Sequence, residues 1–204
     1  MKKDKGRRRM TKEKWTESIR NQIVVYLINY QKNRHLLQDR PYLIFEDMAV
    51  VFRIADQRDL LKERIVEQRD LEQWGIGIHE LYQCALNNTL RLFPACVETP
   101  DGRSTGTDKE PVFIMSNEQG VYGAAVMLYP GFLKSFSEKY SWNLFLMPLS
   151  VHEIFVLLDR GQHASYLLHE TAKMITSKFI SKKDYLSDNI YYYDSNENQI
   201  LTLY

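Results

Sequence analysis

The run from Tyr42 to Ile54, YLIFEDMAVVFRI, most constrains what this chain can become. It is dense in branched and aromatic residues and too continuously apolar for a surface helix, and it is broken only by Glu46-Asp47, so it reads as one or two strands. Similar material recurs. PVFIMSN, AAVMLY, Trp142 to Met147 and His152 to Leu158 all read as strands, and DNIYYYDSNENQILTLY reads as two strands around a Ser-Asn-Glu-Asn turn. Between these runs the apolar period lengthens to three and four. Trp15, Ile19, Ile23, Leu27 and Tyr30 predict an amphipathic helix, and Ile78, Leu81, Ala85, Thr89 and Leu92 predict another, stopped by Pro94. A third helix opens at Pro130, and a fourth spans Ala164 to Phe179 with Leu167, Leu168, Ala172 and Ile175 inward. Asp56 to Trp74 fits either a charged helix or a strand around Arg64 to Val66 followed by a short helical turn. The expected class is therefore α+β, or mixed α/β, with antiparallel or mixed sheets packed against about four helices.

With 204 residues, 44% hydrophobic and 26% charged, the composition is that of a folded chain rather than a disordered one. Net charge near zero hides an asymmetry. Residues 1–14 carry eight basic groups against Asp4 and Glu13, or +6, which leaves 19 basic and 24 acidic groups, or −5, on the remainder. This predicts a flexible basic arm over 1–14 and one domain over 15–204, with a division into two subdomains near the polar loop 98–110 as the alternative. Lys2, Lys3, Lys5, Arg7, Arg8 and Arg9 would neutralise phosphates if the arm meets nucleic acid; a solvated tail is the plainer reading. No run approaches the roughly 20 apolar residues of a membrane span, and none follows the basic start as a secretory signal would require. Cys84 and Cys96 form no CxxC and read as structural, reduced thiols, which points to the cytoplasm.

Motifs of known chemistry fail one by one. His152-Glu153 begins HExxH, but Val156 stands where the second imidazole belongs. Gly75-Ile76-Gly77 lacks the third glycine of a dinucleotide loop, and GRSTGTDK at 102–109 does not satisfy a phosphate loop. Asp194, Asn196 and Asn198 imitate a calcium loop, but Gln199 replaces its glycine. Neither a metal nor a cofactor is predicted.

Longer strings carry a resemblance. IVVYLINYQKNRHLL, FEDMAVVFRI, LEQWGIGIHELYQCALNNTLRLFP, IMSNEQGVYGAAVMLYPGFL, LMPLSVHEIFVL and YLSDNIYYYD, over about Ile19 to Asp194, resemble the C-terminal portion of domain-of-unknown-function family 5688, an uncharacterised bacterial family. The resemblance implies a strand at Arg64 to Glu67 followed by a short turn to Trp74. It brings no established activity. It does include polar residues that packing alone would not need, and Asn88, Asn117, Ser150, His152 and Glu153 are accordingly candidates for a shared binding site. Their plainer role is to satisfy backbone groups at turns.

The functional expectation is a non-enzymatic cytoplasmic interaction or regulatory module that presents Tyr-rich edges, including Tyr191 to Tyr193, to a protein partner. The alternative is a nucleic-acid-associated protein, or a phage or mobile-element inhibitor of a host nucleic-acid machine, acting through the arm. A third reading is a hydrolase centred on Ser150, His152 and Glu153.

Overall fold

The computed structural model describes residues 15–56, 59–99, 112–161 and 165–203; the basic arm and most of the loop 98–110 lie outside them. Among the described residues the chain forms two antiparallel sheets, six α-helices and one 3-10 helix, an α+β fold. Three of the helices are short: α1 (Glu17–Arg20), α2 (Arg34–Leu37) and α3 (Gln68–Trp74) bring the number above the four expected.

The first sheet is organised by β3 (Met48–Asp56). β1 (Ile23–Asn29) runs along one edge, from Ile23 opposite Ile54 to Asn29 opposite Met48. β2 (Tyr42–Phe45) and β4 (Asp59–Ile65) share the other edge, so the 42–54 run is the hairpin that its polar break predicts. The predicted helix from Trp15 to Tyr30 is corrected: only Glu17–Arg20 is helical, and IVVYLIN is strand β1. Both faces of β1 are covered, so its sequence shows no alternation, and a short continuous apolar run imitates helical spacing. The ambiguous stretch before Trp74 is strand β4 followed by α3. The junction is held by Asp70, which is buried, accepts two hydrogen bonds from the Arg64 guanidinium (2.7 and 3.1 Å) and one from the Glu67 N–H (2.8 Å).

The second sheet has the order β10-β9-β7-β8-β6-β5, from β5 (Ala95–Glu98), β6 (Phe113–Asn117), β7 (Leu144–Met147), β8 (Ile154–Leu158), β9 (Ile190–Asp194) and β10 (Gln199–Leu203). One hydrophobic core joins the sheets: Ile23, Val25 and Leu27 of β1 and Val50 and Phe52 of β3 belong with Leu144, Leu146, Val156 and Tyr191, together with Leu81 and Ala85 of α4 (Ile78–Leu92). Between them the predicted strand AAVMLY is instead a 3-10 helix, Gly123–Leu128. Residues 123–127 are all buried, and a segment apolar on every side can fill the gap between two sheets without lending its backbone to either. Helix α5 (Phe132–Tyr140) follows Pro130 as expected.

On its far face the second sheet is covered by α6 (Ser165–Phe179) through Leu168 and Ala172, with Ile175 against them. Leu167, expected inward, is 53% exposed. The tyrosine edge is corrected too. β9 is an interior strand, and Tyr191 and Tyr193 are buried with Tyr192 half-covered, so Tyr191 to Tyr193 offer no free edge to a partner.

Two buried phenols set an alkaline limit on this core. Tyr129 donates to the Phe93 carbonyl at 2.7 Å, Tyr191 donates to the Asp47 carboxylate, and burial pushes both hydroxyls well above their ordinary value of 10.0. A raised native pKa means stability that is complete below the unfolded pKa and lost above it, so the fold is expected to weaken from about pH 10 upward, by at most about 1.4 kcal/mol per pH unit for each phenol. Denaturant melts at pH 8 to 11 check this. Tyr129→Phe should flatten the alkaline slope, and an unchanged slope would assign the loss to other groups.

Candidate functional site

Alternation along β1 and β3 turns Tyr26, Ile28 and Arg53 away from the shared core. Arg53 is 1% exposed, and its guanidinium carbon lies 4.4 Å from the ring centroid of Tyr122, 5.3 Å from that of Phe93 and 5.8 Å from that of Tyr26. The rings of Tyr26 and Tyr122 are themselves 4.7 Å apart. A cation between aromatic faces is held by the ring quadrupoles, most strongly when desolvated as here.

Tyr122 reaches this position through a strained backbone. Its φ of 53° and ψ of 30° are left-handed, which costs a bulky L-residue about 1–3 kcal/mol and persists only where the surroundings enforce it. They do. Asn117 shapes the approach, donating to the Val121 carbonyl (2.8 Å) and accepting from the N–H groups of Gln119 and Val121. The Tyr122 N–H then donates to His152 Nδ1 at 3.2 Å. The His152 carbonyl accepts from Ser116 Oγ at 2.8 Å, and Ser150 Oγ accepts from the His152 N–H at 2.9 Å.

These bonds decide the state of the imidazole. Because Nδ1 accepts, the neutral ring carries its proton on Nε2, which faces Asp184 Oδ1 at 3.4 Å. Asp184 also accepts from Ser181 Oγ at 2.6 Å, and that bond, with His152 adding to it, holds its carboxyl below the usual carboxylate range. Around these groups lies a cleft of about 490 Å³, walled by Tyr26, Arg53, Tyr122, His152 and Asp184, with Arg40 and Lys183 also on its lining.

The sequence candidates are thus divided. Asn117 and His152 meet through the 121–123 segment and serve one site. Ser150 is buried in the turn before β8, where its hydroxyl answers a backbone N–H rather than the imidazole, and neither Ser150 nor Glu153 lines the cleft. Asn88 acts elsewhere: on α4 it donates to the Arg20 and Ile23 carbonyls and closes the junction of α1 with β1. The arm residues Lys2, Lys3, Lys5, Arg7, Arg8 and Arg9 lie outside the described residues. Sequence reasoning missed Tyr26, Arg53, Tyr122 and Asp184. Arg53 had a usable signal, a single charge inside the apolar run AVVFRIA, since charged residues are almost never fully buried without a partner or a task.

Cys84 and Cys96 are free thiols, and burial pushes both above the ordinary thiol value. Among the described residues no three His, Cys, Asp or Glu side chains converge as metal ligands, and no helix is long and apolar enough to cross a membrane.

A family model described as Family of unknown function (DUF5688) matches residues 1–195 of the 204. The chain belongs to this family. The DUF5688 match includes the basic arm as well as the motifs from Ile19 to Asp194, and it contains every residue of the cleft. No curated protein and no solved structure matches the chain.

Proposed function

We propose that this DUF5688 chain is a non-enzymatic interaction or regulatory module and that it binds through the cleft of Tyr122 and His152. The observation that carries the reading is the strained Tyr122 backbone, held by a dedicated set of hydrogen bonds so that its ring faces a cleft of about 490 Å³. That volume lies within the range of about 300–1,000 Å³ typical of ligand sites. A hydrolytic role finds less support: both ring nitrogens of His152 are engaged and Ser150 is turned to the backbone, so nucleophile and base are not paired. A bacterial cytoplasmic setting is part of the proposal, consistent with two free cysteines.

Ligand-observed NMR of the full chain against a library of small aromatic fragments tests it. Binders are expected to lose at least tenfold in affinity with Tyr122→Ala, with far-UV circular dichroism and the cooperativity of thermal unfolding unchanged. Binding indifferent to Tyr122→Ala would overturn the assignment of the site, and ester or amide turnover abolished by His152→Ala would overturn the non-enzymatic reading.

A second surface supports a protein partner. On α6, Leu167 and Met174 stand two turns apart on one face with Tyr166 beside them, exposed by 53, 47 and 67%. Exposed apolar residues gathered on one helix face, here around Glu170 and Thr171, offer a surface to a protein partner. Leu167→Glu with Met174→Glu should abolish nuclease-resistant recovery of a specific protein from host lysate. Recovery that depends on nucleic acid, or on residues 1–14, would favour the arm instead.

A further inference from the structure

We propose that the cleft selects a small organic anion, an aromatic body bearing one carboxylate or phosphate group. The inference rests on the cleft being a binding site and names what it takes. Its lining carries Arg40 and Lys183 at the rim, above the buried and ring-stacked Arg53, with Asp184 as its one carboxylate. This runs against the acidic balance of residues 15–204, which together carry −5. The one carboxylate is already engaged, facing His152 Nε2 and accepting from Ser181 Oγ. Among the described residues neither Arg40 nor Lys183 makes an ion pair within 4 Å; Lys183 is exposed and lies near enough to Asp184 to help hold its carboxyl down, and both side chains can turn to an incoming charge at the rim.

The remaining walls suit the body of such a ligand. Ile28, Leu36, Ile65 and Val151 are apolar, and Tyr26 and Tyr122 add ring surface. A site with apolar walls and a few convergent charges fixes orientation through the charges and draws affinity from the walls. Guanidinium groups match carboxylate and phosphate oxygens alike, so the two head groups share one recognition chemistry.

Isothermal titration of the full chain with phenyl phosphate, benzoate and neutral benzamide at low salt separates the alternatives, with NMR reporting on the Tyr122 ring. At least one anion is expected to bind tenfold or more tighter than benzamide, and to lose about tenfold in the double variant Arg40→Gln, Lys183→Gln and again as salt is raised. Both substitutions sit on covered-rim or exposed positions, and circular dichroism verifies the fold. The tighter of phenyl phosphate and benzoate identifies the head group. Benzamide binding as tightly as the anions, or a double variant that binds unchanged, overturns anion selection while leaving the cleft as a binding site. Absence of binding by all three probes, with no movement of the Tyr122 resonances, overturns both.

Discussion

Gly123→Ala is expected to destabilise the protein by about 3 kcal/mol, at the upper end of overpacking effects. Gly123 opens the 3-10 helix between the sheets, and a β-carbon there would collide with Ser116 Oγ and the His152 carbonyl oxygen and come within 2.9 Å of the Asn117 N. Two of these three atoms are backbone and cannot swing aside. In a chain of this size the penalty corresponds to a fall in Tm of about 6–12 °C. Gly120→Ala is the control: its φ is +65° but nothing lies within 4 Å of the added carbon, so only backbone strain of about 1 kcal/mol applies. Urea melts of both variants decide the matter, and a Gly123→Ala loss no larger than that of Gly120→Ala would mean that the segment yields. Since Gly123 lies against the His152 carbonyl and follows Tyr122, whose N–H donates to His152 Nδ1, Gly123→Ala should also disturb the cleft.

The second large effect is expected at Asp47, in the turn between β2 and β3. Its carboxylate accepts from Ser187 Oγ at 2.8 Å and from the Tyr191 hydroxyl, and both partners are fully buried. Asp47→Ala removes a charged acceptor from two hydroxyls that water does not reach, leaving them a mutual contact of 3.4 Å. We expect a loss of about 3 kcal/mol, against about 1 kcal/mol for Tyr191→Phe, which removes the donor together with its need for a partner. The double variant should cost about 1–2 kcal/mol less than the sum of the two, because it no longer strands the phenol. Strict additivity in equilibrium denaturation would show that the bond contributes nothing.

What could be read from the sequence was whatever is local. The hairpin of 42–54, the helix 78–92 and the terminal pair of strands each lie within one short window, where alternation, period and turn residues agree. β1 imitates a helix because burial on both faces erases alternation, and 123–128 imitates a strand because the same apolar residues satisfy either a buried strand or a buried helical plug. The cleft was half legible. Asn117 and His152 stood out as polar residues in motifs that did not need them for packing, whereas Arg53, Tyr122 and Asp184 meet only because separate elements converge. No spacing within the chain announces that the Arg53 guanidinium will lie over the Tyr122 ring.

The tie between Asp47 and Tyr191 spans 144 positions, and this has a consequence for biosynthesis. The first sheet, residues 23–65, pairs near neighbours and can assemble soon after it leaves the ribosome. At roughly 5–20 residues per second, Tyr191 follows Asp47 only after roughly 7–30 s. Through that interval the second sheet, which supplies the other side of the core shared by Met48, Val50 and Phe52, is incomplete, because β9 is its interior strand beside β7. The nascent chain therefore carries an unfinished core for far longer than a sheet needs to form, and chaperone occupancy during translation should fall only once β9 has been made.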